Sequence, residues 1–180
     1  MERDERMNNT DTIRFSIVAT DLGPLLAAAS DKGLCAVFMD DDREEMKREL
    51  KRRFRHSIIR EGGMEKITAR VARLIKSPLP VYDGPLDLRG TELQRAVWNA
   101  LRKIPAGQTT TYTKIAEKIG RPDAVRAVGT ACGANHVSLV VPCHRVVRRD
   151  GALAGYRWGL ARKEKLIRWE KEAVEQKKKR

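Results

Sequence analysis

The sequence has few cysteines, no long apolar run and no apolar stretch near its N-terminus. Its three cysteines are Cys35, Cys132 and Cys143. They form neither an even disulfide framework nor a CxxC metal pattern. The longest apolar runs are Leu25–Ala29 and, with one interrupting serine, Val137–Val141, whereas a membrane span needs ~20 residues. The polar segment Met1–Asn9 is not followed by the apolar stretch of a secretory signal. These absences predict a cytoplasmic protein in a reducing setting, without a metal site or a cofactor.

Basic side chains outnumber acidic ones, and the excess of positive charge is unevenly distributed along the chain. Residues 1–90 hold 17 basic and 16 acidic side chains, whereas residues 91–180 hold 20 basic and 8 acidic ones. A concentrated positive field favours a polyanionic partner, and nucleic acid is the leading candidate. The alternative is a soluble protein with a solvated basic tail, residues 177–180. Without that tail, residues 91–176 still carry a net charge of +8.

The sequence predicts an α+β fold that begins with a small α/β domain at residues 12–77, after a flexible tail at residues 1–11. Turn signals separate three predicted antiparallel strands, which are Ile13–Thr20, Leu25–Ala29 and Leu34–Met39. Two amphipathic helices are predicted at Arg43–Phe54, capped by Asp40–Asp42, and at Met64–Ile75. The proline- and glycine-rich stretch 78–90 is typical of a linker.

A mainly helical domain is predicted at residues 91–176, followed by the basic tail 177–180. Thr91 is an N-cap candidate for a helix that ends before Pro105. Two short helices, Thr111–Ile119 and Asp123–Ala134, are joined by a glycine-containing turn, which is the outline of a helix-turn-helix. The second helix is rich in Ala and Gly. This composition fits close approach to another surface and tight helix–helix packing equally well.

The segment around Cys143 is the strongest candidate for chemistry. Val137–Val141 is predicted as an apolar strand that ends at Pro142, so the thiol follows where the chain turns. His144 is a candidate base. The positive charges of Arg145, Arg148 and Arg149 favour thiolate. Because adjacent residues of an extended chain face opposite ways, a bridging water is favoured over direct Cys143–His144 contact.

Other readings of these residue types remain open. A cysteine among apolar residues is often an inert core thiol. Cys35 is predicted to lie in a strand, with its side chain in the core. Cys132 belongs to the small-residue helix, where it is either packed or lines the surface that this helix presents. His56 is predicted to be solvated on a basic helix.

Residues 91–170 resemble the catalytic domain of O6-methylguanine-DNA methyltransferases. The matching motifs are Gly90-Thr91, Val97-Trp98, Ile104-Pro105-Ala106-Gly107, Thr111-Tyr112, Ile115-Ala116, Ala124-Val125-Arg126-Ala127-Val128-Gly129, Asn135, Pro142-Cys143-His144-Arg145-Val146, Gly155-Tyr156 and the helix Lys163–Glu170. Residues 12–85 resemble the less distinctive N-terminal domain of the family. The run Gly155–Gly159 is most similar to the family members found in bacterial adaptive-response proteins.

The resemblance implies a set of catalytic roles. Cys143 is the alkyl acceptor, activated through water by His144, which Glu170 orients. Tyr112 is a hydroxyl donor to the leaving guanine, and Asn135 is a hinge between the recognition helix and the site. The thioether product has no carbonyl to attack, so each molecule is expected to react once.

The resemblance also implies how DNA is bound. A monomer would bind duplex DNA through the minor groove and flip out O6-methylguanine, and also O4-methylthymine. Arg126 would fill the vacated stack. The other DNA-contacting residues implied are Tyr112, Thr113, Ala127, Gly129 and Thr130. The base pocket implied is formed by Cys132, Val146, Tyr156, Arg157 and Trp158.

The chain departs from the family pattern at three positions, and three alternative functions stay open. His136 stands where many members have proline, and Arg157 and Trp158 stand where some have small residues. The alternatives are a lesion-binding protein without repair activity, a helix-turn-helix regulator and a thiol hydrolase. The first of these lacks the acceptor cysteine, the second has no need of Cys143, and the third has no need of the basic half.

Overall fold

The described part of the chain folds into six strands, six helices and one short 3₁₀ turn. The structure, a computed structural model, describes residues 10–79 and 81–179. The strands are β1 (Thr12–Val18), β2 (Leu25–Ser30), β3 (Gly33–Met39), β4 (Ile58–Glu61), β5 (Thr110–Thr111) and β6 (Val146–Val147). The helices are α1 (Arg43–Arg53), α2 (Glu65–Arg73), α3 (Glu92–Leu101), α4 (Tyr112–Lys118), α5 (Val125–Gly133) and α6 (Leu160–Lys178), and the 3₁₀ turn is Cys143–Arg145. Most of the predicted tail 1–11, and the last residue of the predicted basic tail, lie outside the described residues.

The N-terminal sheet has four strands in the order β3-β2-β1-β4, where the sequence predicted three. The three predicted strands pair antiparallel, whereas β4 pairs parallel with β1. The prediction missed β4 because this edge strand is short, charged and largely solvent-facing, with Ile58 44 % exposed. Asp42 caps α1 as expected, accepting hydrogen bonds from the backbone N–H groups of Glu44 and Glu45. The helix ends at Arg53, so His56 lies in a turn, and only its predicted exposure is confirmed.

The chain between α5 and the 3₁₀ turn forms tight turns, so the predicted strand Val137–Val141 is wrong. Its backbone hydrogen bonds are local, with Val141 N–H donating to the carbonyl of Val137 at 2.8 Å. Leu139 has a positive φ of 70°, a left-handed conformation that a strand does not contain. The segment is apolar because it is buried, and a short apolar run does not distinguish a buried strand from a buried turn.

Among the described residues, the C-terminal half contains the helices α3 to α6 and the short strands β5 and β6. Thr91 caps α3 in a reciprocal capping box with Gln94, as its N-cap prediction required. The two-residue strands β5 and β6 pair parallel, which places the segment that leads into α4 alongside the segment that follows the 3₁₀ turn containing Cys143. Helices α4 and α5 pack against each other. Whether they act as a DNA-binding helix-turn-helix stays a prediction. None of the helices in the described ranges combines the length and apolar character needed to cross a bilayer.

Candidate active site

The thiol of Cys143 is held by the side chain of Asn135. Asn135 Nδ2 donates to Cys143 Sγ at 3.2 Å and to the carbonyl of Val141 at 2.8 Å. Its Oδ1 accepts from the backbone N–H of Val137 at 2.9 Å. Asn135 is 3 % exposed, and both polar atoms of its side chain are hydrogen-bonded inside the protein. The residue that the resemblance implied as a hinge therefore binds the sulfur and both ends of the turn segment Val137–Val141.

Cys143 opens onto a cavity of about 380 Å³. The cavity is also lined by Tyr112, Gly129, Cys132, Gly133, Asn135, Ser138, Gly155, Tyr156, Arg157 and Trp158. Four of the five predicted pocket residues are therefore brought together. Val146 does not line the cavity. It lies in β6, where it pairs with Thr110 of β5, and it is fully buried there. Ser138, which accepts a 2.6 Å hydrogen bond from Trp158 Nε1, was missed.

His144 and Glu170 form a buried pair behind the thiol. His144 Nε2 lies 2.7 Å from Glu170 Oε1, and the ring is 1 % exposed. Burial alone would raise the pKa of Glu170, but the hydrogen bonds and charges of His144 and Arg145 lower it to about 2. Burial lowers the pKa of His144, against the opposing effect of Glu170. A neutral imidazole therefore donates Nε2–H to the carboxylate, which leaves Nδ1 as the unprotonated nitrogen.

Arg145 anchors the carboxylate rather than the thiol. Its Nε and Nη2 donate to Glu170 at 2.9 and 2.8 Å, and its Nη1 donates to the carbonyl of Ile104. Gly107 N–H also points at Glu170 Oε2, at 3.4 Å, from a φ of +79° that favours glycine. Arg145 and the backbone of Gly107 therefore both donate to the one buried carboxylate of Glu170.

The positive charge near the sulfur comes from Lys163, which the sequence reading missed. Burial raises the pKa of the Cys143 thiol, while the Asn135 hydrogen bond and the Lys163 charge oppose that rise. The expectation for the arginines is wrong, because Arg145 is paired with Glu170 and Arg148 and Arg149 are exposed. Lys163 is fully buried and donates to the carbonyls of Ala154 and Gly155. Its spacing of three and seven residues from Leu166 and Glu170 on α6 was the available signal.

Comparison with known proteins agrees with this geometry. A profile of the 6-O-methylguanine DNA methyltransferase DNA-binding domain matches residues 92–172. The methylated-DNA–protein-cysteine methyltransferase of Salmonella typhimurium is 41 % identical over 163 residues, covering 85 % of this chain and 92 % of that protein. The crystal structure of Mycobacterium tuberculosis OGT in complex with DNA superposes with a TM-score of 0.75 at 34 % identity, covering 89 % and 94 % of the two chains.

The chain belongs to the O6-methylguanine DNA methyltransferase family. It is also 42 % identical over 166 residues to the bifunctional transcriptional activator and DNA repair enzyme Ada of Escherichia coli. That match covers 91 % of this chain and spans about half the length of Ada, 47 %. The family membership confirms the resemblance on which the site residues were chosen.

The residues that the family resemblance assigns to DNA contact lie along α4 and α5. Arg126 and Thr130 are exposed, whereas Thr113, Ala127 and Gly129 are half-buried. Tyr112, at the start of α4, both lines the cavity and donates its hydroxyl to the carbonyl of Ala154 at 3.1 Å. Burial and the two nearby thiols raise the pKa of Tyr112 to about 12, so its hydroxyl stays protonated at neutral pH.

Proposed function

We propose that this chain transfers the methyl group of O6-methylguanine in duplex DNA to its own Cys143, once per molecule. The observation that carries the proposal is the placement of the Cys143 sulfur. Asn135 holds it at 3.2 Å on the wall of a cavity of about 380 Å³, next to the buried His144–Glu170 pair. A methyl on guanine O6 is an electrophile with a poor leaving group, and a positioned thiolate suits in-line attack on it.

The chemical step needs a base because the buried thiol is protonated at neutral pH. His144 takes the thiol proton on Nδ1 through a bridging water, while Glu170 stabilises the imidazolium that forms. The thiolate attacks the methyl carbon, so the S–C bond forms as the C–O6 bond breaks. The electron pair passes to the guanine ring, and the Tyr112 hydroxyl gives up its hydrogen bond to the carbonyl of Ala154 to donate to the developing anion. The product is an S-methyl thioether, which nothing in the site can hydrolyse.

Access to the target atom requires that the damaged nucleotide leave the helix. Guanine O6 is inaccessible to the cavity while the base is stacked, so we infer base flipping. The small residues of α5 allow close approach to a minor groove only ~6 Å wide. Arg126 is the side chain we assign to the vacated stack. O4-methylthymine presents the same kind of O-methyl electrophile and is a second expected substrate.

The proposal is tested by incubating the protein with duplex DNA that contains one O6-methylguanine. We expect the intact mass to rise by one methyl group, peptide mapping to place that methyl on Cys143, and one equivalent of guanine to be restored. Repeated turnover would favour a thiol hydrolase. Tight lesion binding without transfer would favour a recognition protein, and sequence-selective binding to undamaged DNA would favour a regulator.

Binding to undamaged duplex should weaken steeply as salt rises, because free cations cluster on one surface. We define the α4–α5 surface by its exposed basic residues Lys114, Lys118, Arg121 and Arg126. Within the described part of the chain, none of these four has an acidic partner. A Lys114→Gln/Lys118→Gln variant should lower the slope of log Kd against log[salt] by about 2.

The matched control for the salt experiment removes the same charge from the end of α6. A Lys177→Gln/Lys178→Gln variant should leave the salt slope unchanged, as measured by fluorescence anisotropy over a salt series. An equal loss of slope in both variants would place the charge that binds phosphate elsewhere. If the Kd of the native chain for duplex DNA did not change with salt, the net positive charge would play no part in DNA binding.

Trp158 should restrict the cavity to small alkyl groups. It is 7 % exposed, lines the cavity and packs on Phe38 with ring centroids 5.2 Å apart. We expect Trp158→Gly to raise the rate of inactivation by free O6-benzylguanine by at least about tenfold, the scale of a relieved steric mismatch. Trp158→Phe retains the bulk and should behave like the native chain. Equal sensitivity of all three proteins to benzylguanine would contradict this role.

A further inference from the structure

Two side chains of α1, in the N-terminal half, reach toward the active site. Glu49 is only 7 % exposed although it lies on a highly charged helix. Its carboxylate accepts from Arg53 Nε at 2.6 Å, and also from the guanidinium of Arg157, a residue of the cavity wall. Arg53 continues past Glu49, and its Nη1 contacts Nδ1 of His136. One carboxylate thus joins two arginines that lead to different parts of the site.

The first of these paths ends at the residue that holds the sulfur. His136 Nε2 donates to the carbonyl of Arg89 at 3.0 Å, so its Nδ1 is the acceptor for Arg53. The carbonyl of His136 accepts from the backbone N–H of Val37, in β3, at 2.7 Å. His136 is therefore tied to the N-terminal half by both its ring and its backbone. The preceding residue is Asn135, whose side chain binds Cys143 Sγ.

The second path ends at the opposite wall of the cavity. The Arg157 guanidinium lies over the Trp158 ring, 5.4 Å from its centroid. Among the described residues, Glu49 is the only acid that pairs with Arg157. Trp158 is fixed from below by Phe38 of β3 and from the side by Ser138. The position of this wall consequently depends on Glu49 and on the sheet.

We propose that Glu49 and Arg53 are positioning residues for alkyl transfer. Arg53 acts through His136 and Asn135 on the sulfur, and Glu49 acts through Arg157 and Trp158 on the wall that faces it. The inference rests on the proposed function. Because methyl transfer requires an in-line approach, a displacement of ~1 Å is enough to cost about 100-fold in rate. The N-terminal half thereby sets the geometry of a reaction whose reacting atom lies in the C-terminal half.

The test compares two adjacent arginines that both bind Glu49. Arg53 reaches His136, whereas Arg52 is exposed and, among the described residues, its guanidinium binds only Glu45 and Glu49. In single-turnover assays, Arg53→Met should lower the transfer rate at saturating DNA by about tenfold or more, with an unchanged Kd for methylated duplex. Arg52→Met should leave both constants unchanged. The end point should remain one methyl per molecule in each variant. A lower end point in proportion to the lost rate would mean loss of fold and would overturn the proposal.

A double-mutant cycle tests whether Arg53 acts through His136. If it does, Arg53→Met/His136→Gln should be no slower than the slower single variant. Losses that multiply would overturn the assigned path. Arg53→Lys, which keeps one charged donor, should recover part of the rate that Arg53→Met loses.

A reaction that needs no DNA separates this inference from the proposed function. Iodoacetamide alkylates Cys143 as the thiolate, and the pH midpoint of that reaction reports the thiol pKa. If Arg53 keeps Asn135 on the sulfur, the midpoint should rise in Arg53→Met and stay unchanged in Arg52→Met. Identical midpoints in the two variants would overturn the positioning role. Failure of the native chain to accept a methyl from DNA would instead overturn the proposed function.

Discussion

A Cys143→Ala variant should bind duplex DNA containing O6-methylguanine as tightly as the native chain and accept no methyl group. Asn135 holds the sulfur of Cys143 on the cavity wall, and the alanine of the variant offers no nucleophile in its place. The change should preserve the fold, because Asn135 Nδ2 keeps its 2.8 Å hydrogen bond to the carbonyl of Val141. Transfer is measured by intact mass, and binding by anisotropy with the methylated duplex.

Cys132→Ala is the matched control, since this second buried thiol lines the same cavity. Burial raises the pKa of Cys132 to about 12, and among the residues that the structure describes no amide side chain donates to its sulfur as Asn135 does to that of Cys143. We expect Cys132→Ala to accept one methyl at nearly the native rate. A methyl found on Cys132, or residual transfer by Cys143→Ala, would show that the acceptor has been misassigned.

The sequence was sufficient for those parts of the fold that repeat a local pattern. Alternation in β1, turn signals around β2 and β3, and the Asp42 and Thr91 caps all correspond to observed structure. The fourth strand was not predictable from four residues at an exposed edge, because its pairing with β1 is a tertiary contact. The turns that replace the expected strand before Pro142 depend on burial from several sides, which local periodicity does not encode.

In the candidate site, too, the residues in local motifs were predictable from the sequence, and those that depend on tertiary contacts were not. The motif around Cys143 and the family resemblance were sufficient to predict Cys143, His144, Glu170 and Asn135 as site residues. The burial of Lys163 was not predictable, because a lysine on a basic helix is ordinarily solvated and only packing against the loop at Ala154 makes it fully buried. The ion pair between Glu49 and Arg157 was not predictable from the sequence either, because charged residues far apart in sequence meet only in the folded chain.

Glu170→Gln should reduce the transfer rate by about 100- to 1,000-fold, within the range of general acid–base catalysis. The variant keeps the size of the side chain but removes the charge that stabilises the His144 imidazolium. It also leaves the Arg145 guanidinium buried without its counter-ion, which typically costs about 3–5 kcal/mol in the free energy of unfolding. The rate is measured in single turnover at a temperature where both proteins are fully folded, and stability by urea unfolding at pH 7.

The Glu170 carboxylate should also make the stability of the fold depend on pH. Its pKa is lowered from the ordinary value of 4.5 to about 2 in the folded chain, so the folded state favours the ionised form. This contribution is fully present above pH 4.5 and is lost as the pH falls toward 2. The native chain should lose roughly 3 kcal/mol from this group across that window, at about 1.4 kcal/mol for each pH unit. Glu170→Gln should lack that step.

A second substitution separates the catalytic role of Glu170 from its structural one. In Glu170→Gln/Arg145→Met, no uncompensated charge remains in the interior, so most of the lost stability should return. The transfer rate should stay low, because His144 still lacks the carboxylate that orients its ring and stabilises its protonated form. Recovery of the rate together with the stability would mean that Glu170 supports the reaction only by maintaining the fold. Recovery of stability alone assigns to Glu170 the electrostatic part of thiol activation, and to Arg145 the anchoring of that carboxylate.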